Sequence, residues 1–352
     1  MQLVFPTPDD LHVHFRVGVR LYSVVRHTAA QFARAIVMPN LAPKHITTLG
    51  EVLQYRAEIL AAVPKGVDFT PLMTVSLTAD TTHEGLAKAL ASEYVYAAKL
   101  YAGHTTNSEG ISDLASMGWM FEMLQEYRKP LLVHGEAGVT VDVFDREARF
   151  YEQEMSVILE RCPDLKVVCE HITTRTAVEF VKQHSLRVAA TITSQHLLAN
   201  RNDMLGKGGI RPDYYCLPIL KTEQDRIALL EAATSGSPQF FLGTDSAPHP
   251  RIGAAGKAKY TSCGCAGCFT ATHALELYAQ AFNSVGKIEM LPDFASKFGR
   301  EFYGLPPNKG SVIIEQVEPW RLPEALEFGD DDVTPFQFEQ PLFWKATRIA
   351  AS

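Results

Sequence analysis

The stretch Pro8-Asp9-Asp10-Leu11-His12-Val13-His14-Phe15-Arg16 decides how the rest of the chain is read. Leu11, Val13 and Phe15 alternate with His12, His14 and Arg16, and a strand turns every second side chain to one face, so two imidazoles and a guanidinium project together. Three polar side chains on the inward face of an apolar strand are costly in a packed core unless they find partners. A metal ion is the simplest partner for two neutral histidines. Taken alone, His-x-His reads more often as the polar outer face of an edge strand; the strands that follow decide against that.

Working outward, residues 19 to 33 carry apolar positions at helical spacing, and 34 to 40 read as a buried strand stopped by Pro39, with Asn40 at its carboxyl end. Residues 47 to 63 are a helix with Thr47 and Thr48 as cap candidates, and 69 to 77 a third strand. The alternation continues: helix 83 to 92 and strand 97 to 101, helix 112 to 128 and strand 130 to 136, helix 145 to 161 and strand 166 to 172. Helix 174 to 184 precedes strand 187 to 193, and a long loop through Pro218 and helix 222 to 235 precede strand 239 to 245, with a further helix near 267 to 282.

Eight short apolar strands separated by helices give an α/β fold, the (β/α)8 TIM barrel, expected over about residues 8 to 285. An open doubly wound sheet normally has fewer strands and a Gly-rich first turn, whereas Arg16-Val17-Gly18-Val19 stands here. No linker marks a second domain. Residues 286 to 352 are expected to form a C-terminal extension packed on the barrel: a helix, a short strand 310 to 315 and an irregular Pro-rich end, so that 1 to 352 is one domain.

The balance of 40 acids against 33 bases, with no Lys/Arg block, argues against a nucleic-acid or anionic-membrane surface. The start MQLVFPTPDD has no basic region ahead of an apolar run, and six cysteines in 352 residues are too sparse for a disulfide scaffold, so the chain reads as cytoplasmic. Any anionic substrate needs a local cluster of donors.

Barrel chemistry sits at the carboxyl ends of the strands, and there stand His12, His14, Lys99, His134, His171 and Asp245. Four histidines and an aspartate exceed the three protein ligands of an ordinary catalytic zinc and point to two divalent metals, which need a bridging anion. Lys99 as an ammonium repels both cations; after reaction with CO2 it is an anionic carbamate long enough to bridge. Such a metal pair can make hydroxide from water at neutral pH and act as a Lewis acid.

The segments DLHVHFR, RAIVMPNLAP, AAKLY, LLVHGE, EHITT, YCLPILK, GTDSAPH and SCGCAGC resemble, in order, those of the class II bacterial dihydroorotases of the amidohydrolase superfamily. The resemblance implies two Zn2+ per chain: His12, His14 and Asp245 on the more buried one, His134 and His171 on the second, N6-carboxylated Lys99 between them. It implies reversible cyclisation of N-carbamoyl-L-aspartate to L-dihydroorotate in pyrimidine biosynthesis, with a bridging hydroxide as nucleophile, Asp245 as general acid and base, and a homodimer as the working form. Arg16, Asn40 and His249 are the implied clamp for the substrate carboxylate, backbone groups of Leu217 and Ala266 read the ring amides, and His14 and His134 border the same molecule. Thr105 and Thr106, in the polar loop 102 to 110, are the implied lid over the small-molecule substrate.

Family members commonly follow the strand-1 arginine with Asp-Gly, and here Val17-Gly18 stands instead; Val17 cannot accept a hydrogen bond, so the support of Arg16 or of a ligand histidine is expected to differ here. The thiols of Cys263, Cys265 and Cys268 lack a fourth ligand for a separate metal site and read as a substrate-contacting loop. His27, His45, His83, His104, His184 and His196 match no motif and read as surface or helix residues. A hydantoinase or allantoinase is the nearest rival, and its substrate need not carry the carboxylate that Arg16 and Asn40 fit; a non-catalytic homologue is the other, and such chains lose ligand positions that are all filled here.

Overall fold

Strand Asp9–Val13 pairs in parallel with Arg34–Val37, and the ladder continues in chain order through Thr70–Ser76, Val95–Tyr101, Leu131–His134, Val167–Cys169, Val188–Ile192 and Phe240–Leu242. The last strand returns to the first: Asp245 N–H donates to His12 O at 2.8 Å and His14 N–H to Ser246 O at 3.1 Å, which closes the (β/α)8 barrel. This computed structural model describes residues 1–350 apart from 42–43, 107–109, 112, 207, 253–257 and 261–263.

The inner face of the barrel changes character within one layer. Leu11, Ile36, Leu72, Ala97, Leu132, Val168, Ala189 and Phe241 form an apolar floor, plugged by Phe298 and Phe302 from the helix Phe298–Phe302. Two residues further along six of these strands, on the same face by strand periodicity, stand Thr74, Lys99, His134, Glu170, Thr191 and Gly243. Outward residues such as Val37, Ala98, Leu100, Val133 and Cys169 pack in the layer between sheet and helices. The apolar floor drives closure, and the polar layer above it is free to carry chemistry.

Strict alternation fails in the first strand. Its register slips between Asp10 and Val13, so Leu11 joins the inner floor while its neighbour His12 faces the same interior and Val13 packs outward. The bulge turns two consecutive side chains inward. Gly243 opposite has no room for a side chain: a Cβ there would lie 2.8 Å from Thr191 Cβ and 3.0 Å from His12 Cβ.

The helices begin where the caps predict and depart where local pairing competes. Thr48 rather than Thr47 caps Leu49–Ala62, with Glu51 completing a capping box. The helix expected over 112 to 128 spans Gly118–Glu126, because Asp113 Oδ1 captures Ser116 N–H in a turn. The helix expected over 145 to 161 breaks at Glu154 into Arg146–Gln153 and Met155–Arg161. That expected near 267 to 282 spans Ala274–Ser284, since Cys268 and Phe269 bridge to Ser246 and Pro335. The long loop holds the short helices Ser194–Leu198 and Arg201–Leu205.

The chain's end is not irregular. Ser311–Trp320 pairs antiparallel with both Gln2–Pro6 and Leu342–Ile349, and Leu326–Phe328 pairs with Asp331–Val333. Val312, Ile314 and Trp344 bury this sheet against the barrel helices, which fixes the two ends of the chain together.

Candidate active site

The cleft at the carboxyl end of the barrel is bordered by His14, Arg16, Asn40, Tyr101, Thr105, Thr106, His134, His171, Leu217, Asp245, Ala247, His249, Ala266 and Gly267. His12 and Lys99 lie directly beneath, both wholly buried. All the residues singled out from the sequence as ligands or substrate contacts are thereby brought to one place. Of the expected lid, 107 to 109 lie outside the described residues, as does Cys263 of the cysteine loop.

Two groups of donor atoms converge. His12 Nε2 and His14 Nε2 are 3.3 Å apart, and 3.3 and 3.1 Å from Asp245 Oδ1. His134 Nδ1 and His171 Nε2 are 3.3 Å apart. Donors held at zinc-ligand distance around a tetrahedral centre lie about 3.3 Å from one another, so both spacings fit a divalent cation. The groups adjoin, with the His12 and His171 rings 4.9 Å apart. Lys99 Nζ, wholly buried, has no hydrogen-bond partner among the described residues. An orphaned amine between two ligand groups fits a covalent or coordinated partner better than a packed core.

Charge states follow from the surroundings. Burial drives His14 down to about 4 and His171 well below its ordinary range, so both are neutral and able to ligate. For Asp245 burial pushes upward, but the imidazoles of His12 and His14 beside it win and hold the carboxyl well below its usual range. Burial brings Lys99 down to about 8 against the pull of Glu170 and Asp245. Asp245 (φ +46) and His171 (φ +41) both sit in left-handed backbone, and such strain persists where the surroundings over-determine a functional geometry.

A shell of carboxylates that the sequence reading passed over orients these ligands. Glu170 Oε2 lies 2.6 Å from His12 Nδ1 and accepts from Thr191 Oγ1 at 2.7 Å; Glu136 Oε2 lies 2.9 Å from His134 Nε2. The signal was present, since both glutamates fall inside EHITT and LLVHGE. Asp10 ties the first strand to the last by accepting from Thr244 N and Thr244 Oγ1 at 2.9 and 2.7 Å. Tyr101, paired in register with His134, was likewise missed as a wall of the cleft.

Arg16 is supported by the loop that follows the last barrel strand. Its Nε donates to Pro248 O at 2.8 Å and one amino group lies 3.4 Å from His249 Nε2, while Val17 points half-exposed to solvent. Thr106 reaches across the cleft: its Oγ1 accepts from Ala266 N at 3.1 Å. His196 is buried rather than superficial, held between Thr193 Oγ1 at 2.7 Å and Pro218 O at 3.0 Å.

Paired histidines, an aspartate and a buried lysine at the strand ends of a closed β/α barrel define a hydrolase of the amidohydrolase superfamily. No family model matches the chain, but it is 51% identical over 348 residues to the dihydroorotase of Cupriavidus necator, covering 98% of this chain and 99% of that one, and 50% identical over 347 residues to that of Hahella chejuensis, covering 98% of each. The chain belongs to the dihydroorotase family, which is metal-dependent. Among solved structures, Saccharomyces cerevisiae dihydroorotase in complex with 5-fluoroorotic acid superposes with a TM-score of 0.90 at 30% identity over the whole of both chains, and Campylobacter jejuni dihydroorotase with 0.86 at 32%, covering 98% of this chain and 97% of that one. The L-hydantoinase of Arthrobacter aurescens shares the fold, with a TM-score of 0.78 at 16% identity.

Proposed function

We propose that this chain is a hydrolase acting on a cyclic amide: a dihydroorotase that interconverts N-carbamoyl-L-aspartate and L-dihydroorotate for pyrimidine biosynthesis. The observation that carries the reading is the placement of Arg16, Asn40 and His249 on the same cleft as the two histidine groups and Asp245. A carboxylate clamp beside a ligand cluster suits a cyclic amide that bears a carboxylate.

His12, His14 and Asp245 would hold one Zn2+ and His134 with His171 a second, with Lys99 as a carbamate between them. Bound there, divalent cations supply Lewis acidity to the amide carbonyl and make water a nucleophile at neutral pH. The carbamate forms when the neutral Lys99 amine adds to CO2 and releases one proton. Its supports are the orphaned Nζ and its electrostatic contact with His12 and His171, one from each group.

Asp245 accepts the proton of the attacking water in ring opening and delivers it to the ring nitrogen that leaves; in ring closure it returns the proton to the departing oxygen. Pro248 O holds Arg16 Nε, which leaves the amino groups of the guanidinium for a planar contact to the substrate carboxylate. Backbone groups of Leu217 and Ala266 are assigned to the ring amides, and Thr105 and Thr106 to the roof of the cleft, excluding water from the substrate. The reading takes the chain as one domain working as a cytoplasmic homodimer; among the described residues no helix is long and apolar enough to cross a membrane. Sedimentation tests the dimer.

The deciding experiment is ring opening of dihydroorotate followed by ultraviolet absorbance, with dihydrouracil and hydantoin as controls, alongside zinc per chain and the mass of the peptide bearing Lys99. Activity on dihydroorotate, two zinc ions and a CO2 adduct are expected. Activity confined to the controls overturns the substrate, and an unmodified Lys99 in an active two-zinc enzyme overturns the carbamate.

A further inference from the structure

The turn that carries His171 is held from two directions, and one of the holding residues lies on a separate helix. A left-handed histidine keeps its backbone only where its surroundings fix it. His171 N–H donates to Thr191 Oγ1 at 2.7 Å and Ile172 N–H to Thr191 O at 3.1 Å. The two residues that follow are gripped by Glu147, in the first turn of the helix Arg146–Gln153. Thr173 N–H lies 2.8 and 2.9 Å from the two carboxylate oxygens, Thr173 Oγ1 donates at 2.6 Å, Thr174 N–H at 2.8 Å and Thr174 Oγ1 at 2.7 Å.

Each of these neighbours is a donor, and Glu147 is 1% exposed. With donors facing both oxygens the carboxylate fits without conflict, whereas an amide of the same shape would turn its NH2 onto other N–H groups. Burial pushes the Glu147 carboxyl upward, and the nearby Lys221 charge and the threonine donors oppose it. The adjoining carbonyl of Arg146 accepts from Ala137 N–H at 3.0 Å, three residues beyond His134. One helix start therefore ties down both turns that follow the second histidine pair.

We propose that Glu147 is a positioning residue for the reaction: by latching Thr173 and Thr174 it holds His171 Nε2 3.3 Å from His134 Nδ1 and so sets how firmly the second metal position holds its ion. The inference rests on the two-metal reading above. It requires that loss of the latch be felt at one metal position and leave the other intact.

The test loads wild type, Glu147→Gln and Thr173→Val with zinc, challenges each with a chelator and counts metal per chain over time, with thermal unfolding as the control for the fold. Wild type should retain two ions. Glu147→Gln should release one of the two about 10- to 100-fold more readily, the effect expected of outer-shell partners, and keep the other. With cobalt in place of zinc, the visible absorption of that position should change, and kcat should fall while KM for dihydroorotate stays within about twofold. Thr173→Val, which removes one donor and adds no polar atom, should show the same pattern more weakly. A folded Glu147→Gln that holds both ions as firmly as wild type overturns the inference. Should that variant fail to fold, Thr173→Val decides, and wild-type retention there overturns it equally. Wild type that binds fewer than two ions overturns the two-metal reading itself, and the inference with it.

Discussion

Glu170 Oε2 stands 2.6 Å from His12 Nδ1 and 2.7 Å from Thr191 Oγ1, while the same Thr191 Oγ1 accepts from His171 N–H at 2.7 Å. The carboxylate thus fixes His12 with its proton on Nδ1 and its Nε2 lone pair toward Asp245 and His14, and it reaches His171 through a single hydroxyl. Glu170→Gln keeps the volume and loses the charge that selects this tautomer. Metal affinity at the His12 position is expected to fall about 10- to 100-fold, measured by chelator competition. Unchanged affinity would reduce Glu170 to a packing residue.

Asp245→Asn is expected to keep the fold and lose turnover. Its Oδ1 lies 3.3 and 3.1 Å from the Nε2 atoms of His12 and His14, so an amide can fill the space but cannot carry a proton. Unfolding midpoints should match wild type while the hydrolytic rate drops more than tenfold, a barrier increase above about 1.4 kcal/mol. A variant that retains more than about a tenth of the rate would place the base elsewhere.

Arg16→Lys is expected to raise KM for dihydroorotate about tenfold or more without changing metal content. A single ammonium cannot hold Pro248 O and a carboxylate at once, and a lost hydrogen bond to charge is worth about 1.5 to 3 kcal/mol. Unaltered KM and metal content together would remove Arg16 from the substrate.

The barrel and the cluster of polar residues at its rim were legible because both are local patterns: short apolar strands punctuated by helices, with Lys99 near, His134 at and Asp245 just beyond a strand end. What escaped is non-local. The partner of Gln2–Pro6 lies some three hundred residues away in Ser311–Trp320, and neither segment announces the other. The bulge at Leu11 and His12 depends on the register against Arg34–Val37, which alternation alone cannot supply. Glu147 reads as one more helix-surface carboxylate until the fold brings Thr173 and Thr174 to it. Glu170 was nearest to legible, since it occupies the inward position two residues beyond Val168.

His273 should make the fold sensitive to acid away from the metal ligands. It is wholly buried, with Nε2 2.9 Å from Phe336 O and Nδ1 2.6 Å from Thr272 Oγ1, a pair of partners that suits the neutral ring as donor on one side and acceptor on the other. Burial, aided by His27 on the neighbouring helix, pushes its pKa down to about 4. The unfolded chain holds its histidines near the ordinary 6.5, so between the two values it binds more protons than the folded one. Stability from this residue is therefore complete above about pH 6.5 and is lost as pH falls toward 4, by roughly 2 kcal/mol between pH 7.5 and pH 5. His27 and His196, also held near 4 by burial, push in the same direction in both proteins. His273→Gln should cost stability at pH 7.5, where the packing is disturbed, yet lose less on acidification than wild type does. Urea unfolding midpoints at the two pH values measure the difference, and parallel pH dependences for the two proteins would show that His273 does not titrate with folding.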